Sequence, residues 1–240
     1  MGMNAWLAAG LLAGATFGKE PAVLRSGPGR VVLLELFTSE GCSSCPSADA
    51  WLSGLEGAPG LWAAYVPVGF HVTYWDRLGW PDPWGAKAYT DRQRRHADRW
   101  GPYRVYTPGF VTAGVESRPE RLPERPGESV GTLEARAAGS RLSVTFSPTS
   151  RGTRAVKAFC APLGIGLESR VRAGENEGRT LRHAFTALGL AEAPLKCEKS
   201  TCSAELDVPP PAARAPKTAL AVWVEAADGT PLQAAGGLWP

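Results

Sequence analysis

Apolar and polar positions follow two different rhythms along this chain. Val31 to Phe37 is almost continuously apolar, broken by a single glutamate, Glu35, and predicts a buried strand. Ala48, Trp51, Leu52 and Leu55 then repeat at helical spacing, which predicts a helix from Cys42 to about Leu55 with Pro46 tolerated in its first turn. Leu61 to Val72 is a second strand-type run. An aromatic loop follows, with Tyr74, Trp75, Trp80 and Trp84. A helix is expected from about Gly85 to Trp100, with Tyr89, His96, Ala97 and Trp100 inside and Arg92, Arg94, Arg95 and Arg99 on a solvated face. Val105 to Val111 predicts a short strand or hairpin, and Glu128 to Ala138 a last helix. From Ser140 onward the period changes to two. Six or seven short strands, beginning with Arg141 to Phe146, are punctuated by Gly and Pro and predict an antiparallel, sandwich-like arrangement.

The change of period divides the chain into a first part over 19–139 and a β-rich part over 140–240. Residues 1–18 carry a short apolar core, Ala5 to Leu12, followed by Ala13-Gly14-Ala15, which has the form of a processing site. No basic residue precedes that core. The expectation is an exported protein, periplasmic or secreted. Composition narrows the partners. The 240 residues carry 26 Lys and Arg against 23 Asp and Glu, a net charge of +3, which is too balanced to predict a nucleic-acid surface. No apolar run reaches the ~18 residues of a membrane span. With 28 glycines and 21 prolines, many turns are expected, and collagen and coiled coil are excluded.

The chemistry lies in the cysteines. Cys42-Ser43-Ser44-Cys45-Pro46 places a C-x-x-C at a predicted helix start, where free N–H groups and the helix dipole favour a thiolate on Cys42. Cys45 is one turn on, within reach of a disulfide. In this reading Cys42 is the exposed nucleophile and Cys45 the shielded resolving thiol. A permanent disulfide or a metal clip are the alternatives. The order strand, C-x-x-C helix, strand, helix, X-Pro, hairpin, helix is that of a thioredoxin fold. The expected class is therefore an α/β thioredoxin-like domain followed by a mostly β, sandwich-like domain. In such a fold Thr107-Pro108 is expected as the cis-proline facing the pair, with a trans loop proline as the alternative. Glu35, seven residues before Cys42, is either a buried carboxylate with a raised pKa that takes a proton from Cys45, or an acid reaching solvent or a Lys or Arg. Glu40 reads as a solvated loop acid. His71 is either a packed histidine or a third ligand, with Cys42 and Cys45, of a copper site. His96 and His183 read as ordinary helix and strand positions. Cys197 and Cys202 are expected to close a local disulfide, leaving Cys160 as a buried free thiol.

Four segments, FTSEGCSSCPSADAWL, HVTYWDRLGWPDPWGAKAYTDRQRRHA, VYTPGFV and GENEGRTLRH, resemble a bacterial, usually exported, thioredoxin-like family catalogued as a domain of unknown function. The resemblance runs from Val31 to the end of the chain and departs from the pattern in the Pro- and Arg-rich stretch between Gly114 and Gly131. It implies Cys42 and Cys45 as the redox-type pair and Pro108 at the cis-proline position. It implies no substrate. The expected function is exchange with protein or small-molecule disulfides, supplied by an unidentified electron partner, with no cofactor beyond the disulfide itself. A copper-binding module, and a non-catalytic binding protein whose groove is lined by the Trp-rich loop, are the other two readings.

Overall fold

The computed structural model describes residues 22–101, 105–118, 122–150 and 154–239. The segment read as an export signal, Ala13-Gly14-Ala15 included, lies outside the described residues. The first described element is β1 (Ala22–Arg25), and the core is entered at β2 (Val32–Thr38). Helix α1 (Cys45–Ser53) then leads to β3 (Tyr65–His71), which lies parallel to β2. Helix α2 (Lys87–Trp100) returns the chain to β4 (Gly109–Thr112), antiparallel to β2 on its other side. Ala113 and Gly114 both have positive φ (49° and 82°) and make the tight turn into β5 (Val115–Ser117).

Only strands follow among the described residues. They are β6 (Gly131–Ala138), β7 (Arg141–Pro148), β8 (Lys157–Ile165), β9 (Leu167–Arg170), β10 (Thr180–His183) and β11 (Thr186–Ala187), then β12 (Ala191–Pro194), β13 (Lys196–Glu198), β14 (Thr201–Asp207), β15 (Lys217–Glu225) and β16 (Pro231–Leu238). The largest sheet runs β16-β15-β8-β11-β3-β2-β4-β5, with β12 also paired to β8. A second sheet runs β1-β6-β7-β14-β13, and β9 pairs with β10.

The expected α/β thioredoxin-like class is overturned. The described chain has sixteen strands and two α-helices, and it is mostly β. The predicted last helix over Glu128 to Ala138 is strand β6. Its Glu, Arg and Ala residues favour helix intrinsically, but Leu133, Ala135 and Ala137 alternate inward and pair with β7. Gly139, at the predicted change of period, is a turn residue of the β6–β7 hairpin. The strands β8, β15 and β16 lie in one sheet with β2 and β3.

Strand β15 explains why two sheets pack as one body. Its Ala219, Ala221 and Trp223 face the core that also holds β2 and β3. Leu220, Val222 and Val224 face a second core, shared with β6 and β7. Both faces are apolar, so the strand reads as a continuous buried run. Gly69 on β3 lets α1 approach, since a Cβ there would lie 3.2 Å from Leu52 Cδ2.

Arg92 on α2 is buried, against the expectation of a solvated face. Its Nε donates to Glu35 Oε1 on β2 at 2.5 Å and its Nη2 to Glu225 Oε1 on β15 at 2.8 Å. The guanidinium lies 4.9 Å from the Trp223 ring centroid and 5.3 Å from that of Phe159. His96 Nε2 also meets Glu35, at 3.0 Å from Oε2. Burial alone would raise the Glu35 pKa; the charge of Arg92, then that of His96, outweighs it and holds the carboxyl at about 2.

This arrangement sets a pH dependence. Glu35 has a lower pKa folded than unfolded, so its stabilisation is full above pH 4.5 and is lost as pH falls towards 2. About 2 kcal/mol should be gone by pH 3. Urea denaturation at pH 7 and pH 3 is expected to show the stability gap between wild type and Glu35→Gln narrowing by that order. An unchanged gap would contradict the pairing.

Candidate functional site

The carboxyl end of β2 feeds the chain through Thr38, Ser39, Glu40 and Gly41 into Cys42, and α1 begins at Cys45. Cys42 and Cys45 are joined by a disulfide with a Cα–Cα distance of 5.4 Å. Both are buried, at 1% and 0% exposure, which corrects the reading of Cys42 as exposed. The loop between β9 and β10, 134 residues on, is tied to this turn. Asn176, itself buried, donates from Nδ2 to the carbonyl oxygens of Glu40 (2.8 Å) and Cys42 (2.9 Å). Glu175 Oε2 accepts from the Ser43 backbone N–H at 2.9 Å. Ser44, at the N-cap of α1, makes no side-chain cap. An exposed carboxylate therefore sits at the positive end of α1, where the sequence reading placed only the Cys42 thiolate.

The Thr107–Pro108 peptide bond is cis. Pro108 and Phe110 face Ser47, Ala48 and Trp51 of α1 across a cleft of about 500 Å³. Trp75 Nε1 donates to Thr107 Oγ1 at 2.8 Å, fixing the cleft's inner wall. So the structure brings Pro108 and the start of α1 to one groove.

Glu35 does not join them. Side chains alternate along β2, so Glu35 points to the sheet face covered by α2, while Thr38 points to the face covered by α1 and donates to Asp49 Oδ2 at 3.0 Å. The pKa of Glu35 is lowered, not raised. It is a structural ion-pair partner of Arg92.

The buried acids on the α1 face are others. Glu40 is 0% exposed and not a solvated loop acid. It accepts from Trp80 Nε1 (2.9 Å), Trp84 Nε1 (3.1 Å), His183 Nε2 (2.9 Å) and the Ser169 hydroxyl. Burial pushes its pKa up, but the bonds from His183 and Ser169 outweigh that and hold it below the usual range. Asp82 accepts from the Glu40 backbone N–H (2.7 Å) and lies 2.8 Å from His71 Nδ1. Burial would lower the His71 pKa; the Asp82 carboxylate overcomes this and raises it to about 9. Burial raises the pKa of Asp49, four residues after Cys45 on α1. The rings of His71 and His183 meet edge to face at 4.8 Å. His71 thus faces Asp82 and His183, and two indoles of the Trp-rich loop serve Glu40.

Nothing in the sequence singles out Asp82, Glu175 or Asn176, and His183, read there as an ordinary strand position, meets Glu40 and His71 instead. Asp49 had a local signal, since it follows Cys45 by four on one helix face. The others arrive over long separations. Cys197 and Cys202, facing each other across β13 and β14, are joined by a disulfide. Cys160 is a free, buried thiol whose pKa burial pushes up to about 12.

A family model described as "Protein of unknown function (DUF1223)" matches residues 33–225. A crystal structure of a protein from Agrobacterium tumefaciens superposes with a TM-score of 0.62 at 20% identity, covering 89% of this chain and 95% of that one. HBP35 of Porphyromonas gingivalis superposes with a TM-score of 0.62 at 12% identity, covering 88% of this chain and 76% of that one. At these identities the likeness is one of fold. No curated protein matches the chain.

The Glu175 contact generates a prediction. Removing its charge frees a helix-terminal N–H and removes a like charge from beside the thiolate. In the reduced protein, Glu175→Gln should lower the Cys42 pKa by a few tenths of a unit. The pH profile of iodoacetamide alkylation checks this, and an unchanged or raised Cys42 pKa would contradict it.

Proposed function

The chain belongs to the DUF1223 family, a family of unknown function, and we propose that it exchanges disulfides through Cys42 and Cys45. The observation that carries this reading is a disulfide at the first turn of α1, the helix whose Ser47, Ala48 and Trp51 face Pro108 across a groove. The reduced pair would act in two balanced steps. The Cys42 thiolate attacks one sulfur of a partner disulfide, breaking its S–S bond and releasing the other sulfur as a thiolate. The Cys45 thiolate then attacks the Cys42 sulfur of the mixed disulfide, which releases the partner as a dithiol and re-forms Cys42–Cys45. Two electrons pass to the partner. The reverse sequence oxidises a partner dithiol.

Both sulfurs are buried, so access requires the Glu175–Asn176 loop to move. The loop holds the pair through a few hydrogen bonds and one exposed carboxylate, which suits opening at low cost. Cys160 and the Cys197–Cys202 pair are silent in this chemistry, the first by burial and the second by its own disulfide. An oxidising compartment, periplasmic or extracellular, fits both disulfides.

The test uses glutathione disulfide as the probe. Cys45→Ser should accumulate one stable glutathionyl adduct on Cys42, and Cys42→Ser should react at least about tenfold more slowly. Asn176→Ala should speed reduction of the wild-type disulfide by dithiothreitol roughly tenfold. A native disulfide that resists dithiothreitol until the protein is unfolded would mark it as structural and overturn the proposal.

A further inference from the structure

On the α1 face of the sheet, Asp49, His71 and His183 each present a ligand atom, and these atoms lie within 4.8 Å of one another. All three residues are buried. We propose that they form a binding site for a divalent first-row transition-metal ion, with zinc as the ion to test. The site is separate from the cysteines and does not depend on the thiol chemistry.

Glu40 is an anion with acceptors only, so its contact with His183 Nε2 requires a hydrogen there. The neutral ring then carries its lone pair on Nδ1. That atom is buried and has no hydrogen-bond partner. Asp82 holds Nδ1–H of His71 in the same way, which leaves Nε2 as the nitrogen that ring gives once a metal ion displaces its proton. A histidine ligand whose second nitrogen donates to a carboxylate is the usual outer shell of a zinc site. Here both histidines have it. Asp49 Oδ2 is likewise fixed, by the Thr38 hydroxyl.

Asp49, Glu40 and Asp82 bring three buried carboxyl groups together, and no lysine or arginine pairs with them among the described residues. Without a metal the cation that faces them is protonated His71; a divalent ion would take that proton's place and match their charge more fully. Two histidines and one carboxylate match the donor set of zinc sites that keep an open position.

Asp49 and His183 line a cleft of about 520 Å³ between α1 and β10, together with Pro46, Ser53, Arg179 and Leu181. An ion can enter there, and its fourth position would face the cleft. Ligands at ~2.0–2.1 Å from zinc stand ~3.4 Å apart in a tetrahedron. The cluster is wider by up to about 1.4 Å, which small rotations of the three side chains would close.

The experiment measures metal in the intact protein. After dialysis against micromolar zinc and then metal-free buffer, mass spectrometry for metals should find about one equivalent of zinc. The Co²⁺-loaded protein should show ligand-field bands without a thiolate charge-transfer band. His183→Gln and Asp49→Asn should lose the equivalent, and Glu40→Gln should weaken binding 10–100-fold. The Cys42→Ser/Cys45→Ser double variant should keep it, which separates this site from the thiol reading and from a copper site built on the cysteines. The cobalt spectrum is read on wild type, so a variant that fails to fold does not decide the matter. Less than a tenth of an equivalent in wild type would overturn the proposal and leave a protonated imidazole as the cation. Metal lost with the cysteines but kept in His183→Gln would overturn it as well.

Discussion

Arg92 is the residue on which the rest of the structure depends. It is one cation, 2% exposed, between two acids that lie far apart in sequence. Taking three charges out of water costs several kcal/mol per ion, and only close geometry with matching hydrogen bonds offsets that. Here Glu35 of β2 and Glu225 of β15 supply the acceptors, His96 and Trp223 supply further donors, and aromatic rings cover the guanidinium. The consequence is topological. β2 and β15 are tied through α2 although β3, β11 and β8 lie between them in the sheet.

Fixing α2 on one face of the sheet leaves the other face to α1. That division decides what each buried acid does. On the α2 face, Glu35 meets an arginine and is held as a low-pKa anion. On the α1 face, Glu40, Asp49 and Asp82 meet two histidines, two indole N–H groups and backbone donors. The disulfide sits at the edge of this second set, where the parallel strands β2 and β3 end and the chain turns outward. Open α/β sheets place sites at the same edge for the same reason, since the loops there diverge from fixed strand ends.

Much of the local structure was legible in the sequence. The apolar run of β2, the existence of α1, the range of α2 within two residues and most strands after residue 140 follow from period and turn chemistry, although α1 starts at Cys45 and not at the expected Cys42. Glu128 to Ala138 did not, because its helix-forming side chains are overruled by pairing with β7. The site was legible where its parts are neighbours in sequence, as in Cys42 and Cys45, and at Pro108, which the order of elements singled out. Glu40 reads as a loop acid until His183, 143 residues later, is placed beside it. Arg92 reads as a surface cation until Glu225, 133 residues later, arrives. A short polar loop such as Gly174 to Gly178 carries no local sign that its asparagine will hold the Cys42 carbonyl.

The central claim is that the Cys42–Cys45 disulfide is exchangeable in the folded protein, and its reduction potential tests this most directly. The native protein is equilibrated in buffers of defined dithiothreitol or glutathione ratio, and the thiols are trapped and counted by mass. The account predicts a two-electron transition confined to Cys42 and Cys45, with a potential above about −300 mV. A pair that stays oxidised at potentials well below that value, while the protein remains folded, would contradict it.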